Sequence, residues 1–173
     1  GWLKENVSIH RLISTSEKQA EDGTRKFLWE LADKNTIESV IIPAHHEDGD
    51  VVVGRERLTA CISSQVGCAM KCKFCLTGIQ GLSRNLEVHE IVGQAYELRR
   101  VAPITNIVFM GMGEPLHNLK NVIQACRILL DGDGFKFSKR KVTVSTSCLV
   151  KAMEEIGGAV DVCLAVSLNA TTD

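Results

Sequence analysis

Cys68-Ala-Met-Lys-Cys72-Lys-Phe-Cys75, following the run Leu58-Thr-Ala-Cys61-Ile-Ser-Ser63, decides how this chain is read. Leu58 to Ser63 is apolar and strand-like, and the Gly-flanked loop after it sets three thiols at gaps of three and then two residues. Three thiolates packed this tightly suit three irons of a cubane cluster and leave the fourth iron without a protein ligand. An open iron can bind a small molecule through an amine and a carboxylate and pass it one electron, so that a cofactor carries the difficult chemistry. A structural zinc site wants four closed ligands, usually as two Cys pairs. No second CxxC follows here, and Cys61, Cys126, Cys148 and Cys163 are scattered singly. The ferredoxin pattern, with a fourth Cys before a Pro, is also missing. Ligand count therefore favours the open cluster over zinc.

Working outward, strand and helix patterns alternate. Ile91, Val92, Ala95 and Leu98 give residues Val88 to Arg99 an apolar helical face, and Val122, Ile123, Cys126, Leu129 and Leu130 do the same for Leu119 to Leu130. Ile107 to Met110, Val142 to Ser145 and Val160 to Leu168 read as strands, with a helix at Leu149 to Ile156 between the last two. This alternation implies a parallel sheet with right-handed crossovers, and places functional loops at the carboxyl ends of the strands. The fold class is α/β, a partial (βα) barrel. Residues 58–173 form its first part, and residues 1–57 form an N-terminal extension with short β elements, the end of an upstream region. Within that extension Thr36 to Ile42 reads as a strand, Lys26 to Ala32 as a strand or helical turn, and Val51 to Val53 as the second arm of a hairpin. Residues 6 to 15 are polar and weakly patterned. The chain begins at Gly1 and stops after an apolar strand, so it is expected to be truncated at both ends, with Val160 to Leu168 left as an exposed apolar edge.

Four loops are expected at one end of the sheet: the cysteine loop, Gly111 to Pro115, Ser145 to Cys148 and Ser167 to Thr171. Gly111-Met-Gly113-Glu114 lacks the third glycine of a dinucleotide fingerprint, because Leu116 stands where the turn would close. Two glycines permit close backbone approach, and Glu114 suits an ammonium group on an iron-bound amino acid. Ser145, Thr146, Ser147, Ser167 and Asn169 offer neutral donors and acceptors for a ribose and a carboxylate. Ser147 also fits an N-cap for the following helix. Phe74 either packs the loop or stacks near an adenine. Cys61 is either inert packing or a thiol in the cavity, open to a transient disulfide. His45, His46, Glu47, Asp48 and Asp50 have no metal-ligand spacing and read as a solvated loop.

Composition sets outer bounds. The chain has 173 residues, 45% of them hydrophobic, and a formal charge of −1 from 20 cations and 21 anions, so overall charge does not announce a nucleic-acid binder. No apolar run approaches the ~20 residues of a membrane span. Seven cysteines, an odd count, and no signal-like segment argue against a disulfide scaffold and for a reducing compartment, expected to be the cytoplasm. Lys136, Lys139, Arg140 and Lys141 form a basic run that reads as a solvated turn or an RNA contact, and Arg84 is a second candidate for RNA.

These motifs resemble one family. The stretch from Thr59 through Cys75, with Gly81-Leu-Ser-Arg-Asn85-Leu, Asn106-Ile-Val-Phe-Met-Gly-Met-Gly-Glu-Pro-Leu116 and Leu164-Ala-Val-Ser-Leu-Asn169, is similar to the radical S-adenosylmethionine (SAM) adenosine C2 methyltransferases of ribosomal RNA. The likeness runs from about Gly23 to Asp173. It implies a [4Fe-4S] cluster on Cys68, Cys72 and Cys75, and SAM held by Gly113, Glu114, Ser145, Ser167, Leu168 and Asn169. It implies methylation of C2 of an adenosine in 23S rRNA, and often in tRNA, through a methyl group carried on a cysteine. Glu38 matches the family's proton acceptor, and Cys61 matches the cysteine that releases product by forming a disulfide. A flavodoxin-like electron donor and a monomeric full-length protein are also implied. Cys148 replaces a usual Gly and Lys151 a usual Pro, and none of the seven cysteines sits at the carrier position. The fragment alone is therefore expected to be inactive. The sister C8 methyltransferases share these motifs, and a non-catalytic metal-binding module is the rival of another class.

Overall fold

The computed structural model describes residues 11–44, 57–147 and 149–167. In chain order the elements are β1 (Ile13–Gln19), β2 (Arg25–Glu30), β3 (Thr36–Pro43), β4 (Leu58–Cys61), β5 (Gln65–Gly67), α1 (Leu76–Gln80), β6 (Leu82–Asn85), α2 (Val88–Val101), β7 (Asn106–Phe109), α3 (Leu119–Leu130), β8 (Val142–Thr146), α4 (Val150–Ala159) and β9 (Cys163–Val166). Seven strands form one sheet in the order β1-β2-β3-β4-β7-β8-β9, and β5 pairs with β6 separately. β4, β7, β8 and β9 are parallel, joined by crossovers that contain α2, α3 and α4. This is the partial α/β barrel expected from the alternating pattern. β1, β2 and β3 are antiparallel, and β3 bonds to β4, so the extension continues the same sheet.

The helices form where sequence and tertiary burial agree. α2 opens with a reciprocal capping box between Glu87 and Glu90, carries Arg99 and Arg100 in its last turn, and stops at extended Ala102 before Pro103. Its buried face, Ile91, Ala95 and Leu98, meets Val122, Cys126 and Leu129 of α3 over the strand residues Ile37, Ala60, Ile107, Phe109, Val142 and Val144. Phe27 and Trp29 of β2 join that cluster and stack at 5.4 Å between ring centroids. α4 starts one residue later than expected and runs three residues further. β9 is shorter than expected, and as the last strand of the described sheet it leaves Leu164 and Val166 40% and 44% exposed. The hairpin arm Val51 to Val53 and the His45 to Asp50 segment lie outside the described residues. Among the described residues no helix is long and apolar enough to cross a membrane.

Candidate functional site

Strand register collects the candidate residues. Val40 pairs with Cys61, Cys61 with Val108, Val108 with Thr143, and Thr143 with Cys163. Paired residues share a face and alternate residues return to it, so Glu38, Cys61 and Ser145 lie on one face. The helices cover the other. β3 runs against β4, so Glu38, two residues before Val40, lies toward the carboxyl ends of the parallel strands, as Ser145 does. The Ser63 hydroxyl donates to the Glu38 carbonyl at 2.6 Å, which ties those two ends together.

The cysteine loop leaves the same end. Cys68 N–H donates to Gly81 O and Cys75 N–H to Cys72 O, both at 3.0 Å, closing the loop on itself. Gly67 has φ +76°, and a Cβ there would stand 1.8 Å from Gly81 O, so only glycine closes the neck. Burial pushes the Cys68 thiol up, the Met70 amide pulls it down, and the charges of Cys72, Cys75 and Glu114 push it further up. The three sulfurs and the carboxylate are thus electrostatic neighbours. Among the described residues no three His, Cys, Asp or Glu side chains converge as one ion would require. A cubane places each thiolate on a different iron, so three cysteines on one loop match it in number with one iron left over. Phe74 is 74% exposed, so it does not pack the loop.

The two glycines of the Gly111–Glu114 turn do permit a close backbone approach. A Cβ at Gly113 (φ +99°) would fall 2.5 Å from Gln65 Cβ, and one at Gly111 would fall 2.7 Å from Ser63 Oγ. The glycines therefore let this turn lie against the chain entering the cysteine loop. Glu114 is 4% exposed; Leu116 N–H donates to one oxygen at 3.0 Å, and Ser147 N–H and Oγ–H to the other at 2.9 Å. A carboxylate has about four acceptor sites, so one remains for a ligand. Ser147 does not cap α4, whose N-cap is Leu149 without a side-chain bond; its hydroxyl is committed to Glu114 instead. Ser167 N–H bonds to Thr146 O at 2.9 Å, bringing the end of β9 beside β8. Leu168, Asn169 and Cys148 lie outside the described residues.

Glu38 pairs with Lys26 at 2.7 Å and shares a pocket with Asn35, Val66, Thr77, Gln80 and Met112. That pocket joins β3 to α1, just after the cysteines, and to the glycine turn. Cys61 is 7% exposed, and burial pushes its thiol up to about 11 against the pull of the Met110 backbone. Cys126 packs inside the main apolar cluster, whereas Cys61 stands outside it on the face of Glu38. The six described cysteines are free thiols, so the disulfide implied for Cys61 is not formed here.

Both RNA candidates have ion-pair partners within the chain. Arg84 is held internally, by Glu90 through two bonds of 2.8 Å, by Asp33 at 2.6 Å and by the Asn85 carbonyl at 3.1 Å. The basic run forms a 3-10 turn ahead of Val142, at the end of β8 opposite Ser145, and Lys139 is paired with Asp161 at 2.7 Å. Sequence reasoning missed Gln65, Asn85 and His117, which join the cysteine loop to the glycine turn. The only signal was one amide in an otherwise small and apolar run.

Residues 62–173 match the family model described as the Radical SAM superfamily. The chain is similar to the dual-specificity RNA methyltransferase RlmN of Geotalea uraniireducens, 56% identical over 171 residues that make up 99% of this chain and 47% of that protein. The corresponding protein of Geobacter sulfurreducens is 53% identical over 99% of this chain and 45% of its own length. Among solved structures, a radical SAM methyltransferase from Sphaerobacter thermophilus superposes with a TM-score of 0.87 at 39% identity, covering 99% of this chain and 49% of that one. The chain spans about half the length of these relatives.

Proposed function

The chain belongs to the radical SAM superfamily, and from that premise we propose that it is the cluster-bearing half of an enzyme that methylates C2 of an adenosine in 23S rRNA and in tRNA. The observation carrying this reading is the register that sets Glu38, Cys61 and Ser145 on one sheet face, toward the strand ends from which the three-cysteine loop leaves. The [4Fe-4S] cluster and SAM, which the superfamily implies, supply when bound the one-electron cleavage of a sulfonium carbon–sulfur bond.

Cys68, Cys72 and Cys75 hold the cluster. Glu114, with one acceptor site to spare, takes an ammonium proton of SAM, and the turn at Gly113 brings its backbone alongside. Ser145, Ser167, Leu168 and Asn169 hold the ribose and carboxylate of SAM. Glu38, fixed by Lys26, accepts the proton that adenosine C2 gives up. Cys61, a protonated thiol at neutral pH, is the partner for a disulfide with the methyl-carrying cysteine, formed after Cys61 loses its proton and as that cysteine's bond to the transferred carbon breaks. The methyl-carrying cysteine is none of the seven here, so this chain by itself does not methylate RNA. We assign residues 1–57 to an extension and 58–173 to the first part of the barrel, and expect a cytoplasmic, monomeric full-length protein reduced by a flavodoxin-like donor.

Anaerobic reconstitution tests this reading. About four irons per chain and SAM-dependent release of 5′-deoxyadenosine support it, whereas one zinc and no cleavage indicate a non-catalytic module. Mass spectrometry of nucleosides from RNA treated with the full-length protein separates C2-methyladenosine from the C8 product.

A further inference from the structure

Gln65 is fully buried immediately before the cysteine loop and is bonded on every polar side. Its Oε1 accepts the Glu114 N–H at 2.8 Å. A backbone N–H can only donate, so this bond fixes which end of the amide is oxygen. Nε2 must then face Asn85 Oδ1 at 2.7 Å and His117 Nδ1 at 3.1 Å, and both of its hydrogens are used. In that contact His117 Nδ1 is the acceptor. Glu114 in turn receives Ser147, so one chain of bonds runs from the cysteine loop through Gln65 and Glu114 to the end of β8.

We infer that Gln65 is a positioning residue that sets the separation between the three-cysteine loop and the Glu114–Ser147 turn, the two parts that hold cluster and SAM under the function proposed above. Backbone bonds from Ser64 and Gln65 N–H to Met112 O join this strand to the same turn, but among the described residues no other side chain bonds it to the Glu114 backbone. The Glu114 N–H fixes the amide orientation of Gln65, so removing Oε1 breaks the link in a definable way.

The test uses the reconstituted protein and SAM itself. Gln65→Leu removes the acceptor for Glu114 N–H and should weaken SAM binding by calorimetry about tenfold or more, with iron content unchanged. Gln65→Glu keeps that acceptor, and because Asn85 can turn its amide and a neutral imidazole at His117 can carry its proton on Nδ1, binding should stay within about threefold of the unmodified protein. In the iron-free protein, Gln65→Leu should speed exchange of the Glu114 amide about tenfold or more. Unchanged SAM affinity in Gln65→Leu, or a loss in Gln65→Glu as large as that in Gln65→Leu, overturns the inference. Should Gln65→Leu fail to fold, exposed His117→Leu decides: a loss of about threefold supports the role and no loss overturns it. If the unmodified protein takes up iron but no SAM, the proposed function fails and this inference falls with it. If the unmodified protein binds and every variant binds equally, only the inference fails.

Discussion

The two faces of the sheet are built on different principles. On the helical face, Ile37, Ala60, Ile107, Val142 and Val144 are fully buried beneath α2 and α3, and even Cys126 serves there as a small hydrophobe. On the other face, Val40, Cys61, Val108 and Thr143 form a row flanked by Glu38 and Ser145, with the cysteine loop at its end. The first face spends apolar area on stability. The second holds groups that would be poor choices for a core, with Glu38 partly exposed and Cys61 buried.

The largest separation of the two faces should come from the cysteine loop. Cys72→Ser removes one of the three proposed ligands and should lower iron from about four per chain to near none, while leaving the melting transition of the iron-free protein unchanged. Iron analysis and calorimetry read both effects, and a variant that keeps its iron would break the distinction. Ile107→Ala, on the helical face of the same sheet, should do the reverse, costing about 2–5 kcal/mol in urea unfolding with iron uptake intact.

Arg84 offers a smaller effect on the support beneath the site. Removing it in Arg84→Met leaves mostly buried Glu90 without its partner and should cost about 1–3 kcal/mol. Hydrogen bonds from Arg84, and then Asn35, hold the Asp33 carboxyl well below the usual carboxylate range. Burial pushes Glu90 up, but Arg84 and the Glu87 amide outweigh it and lower that carboxyl too. With both folded-state values depressed, this stability is fully present above the unfolded carboxylate pKa of about 4 and is lost as pH falls through the folded values. Acid titration of Arg84→Met should therefore show a flatter loss of stability below about pH 4 than the unmodified protein. The smallest effect distinguishes thiols: exposed Cys163 should be alkylated first at pH 8, with Cys61 and Cys126, pushed up to about 11 and 12 by burial, labelled only on unfolding. Rapid labelling of Cys61 in the folded state would contradict its burial.

Helical periodicity made α2 and α3 readable, because Ile91, Ala95 and Leu98 or Val122, Cys126 and Leu129 recur at the spacing of one buried face. β1 was not readable: Ile-Ser-Thr-Ser-Glu-Lys-Gln has almost no apolar alternation, and it is held by pairing along the edge of β2. β5 and β6 are three and four residues long and exist because they close the neck at Gly67 and Gly81. The three cysteines stood out as cluster candidates from spacing alone. The commitments of Glu114, Ser147 and Arg84 were not, since each depends on a partner brought from 33, 33 and 51 residues away. Local sequence offered a cap, a ligand or an RNA contact equally well.

Electron paramagnetic resonance of the reduced, iron-reconstituted protein, recorded with and without SAM, tests most directly whether three cysteines leave one iron open. The expected result is a [4Fe-4S] signal from about four irons per chain that changes when SAM is added. A zinc-filled centre, or a cluster signal indifferent to SAM, would contradict it.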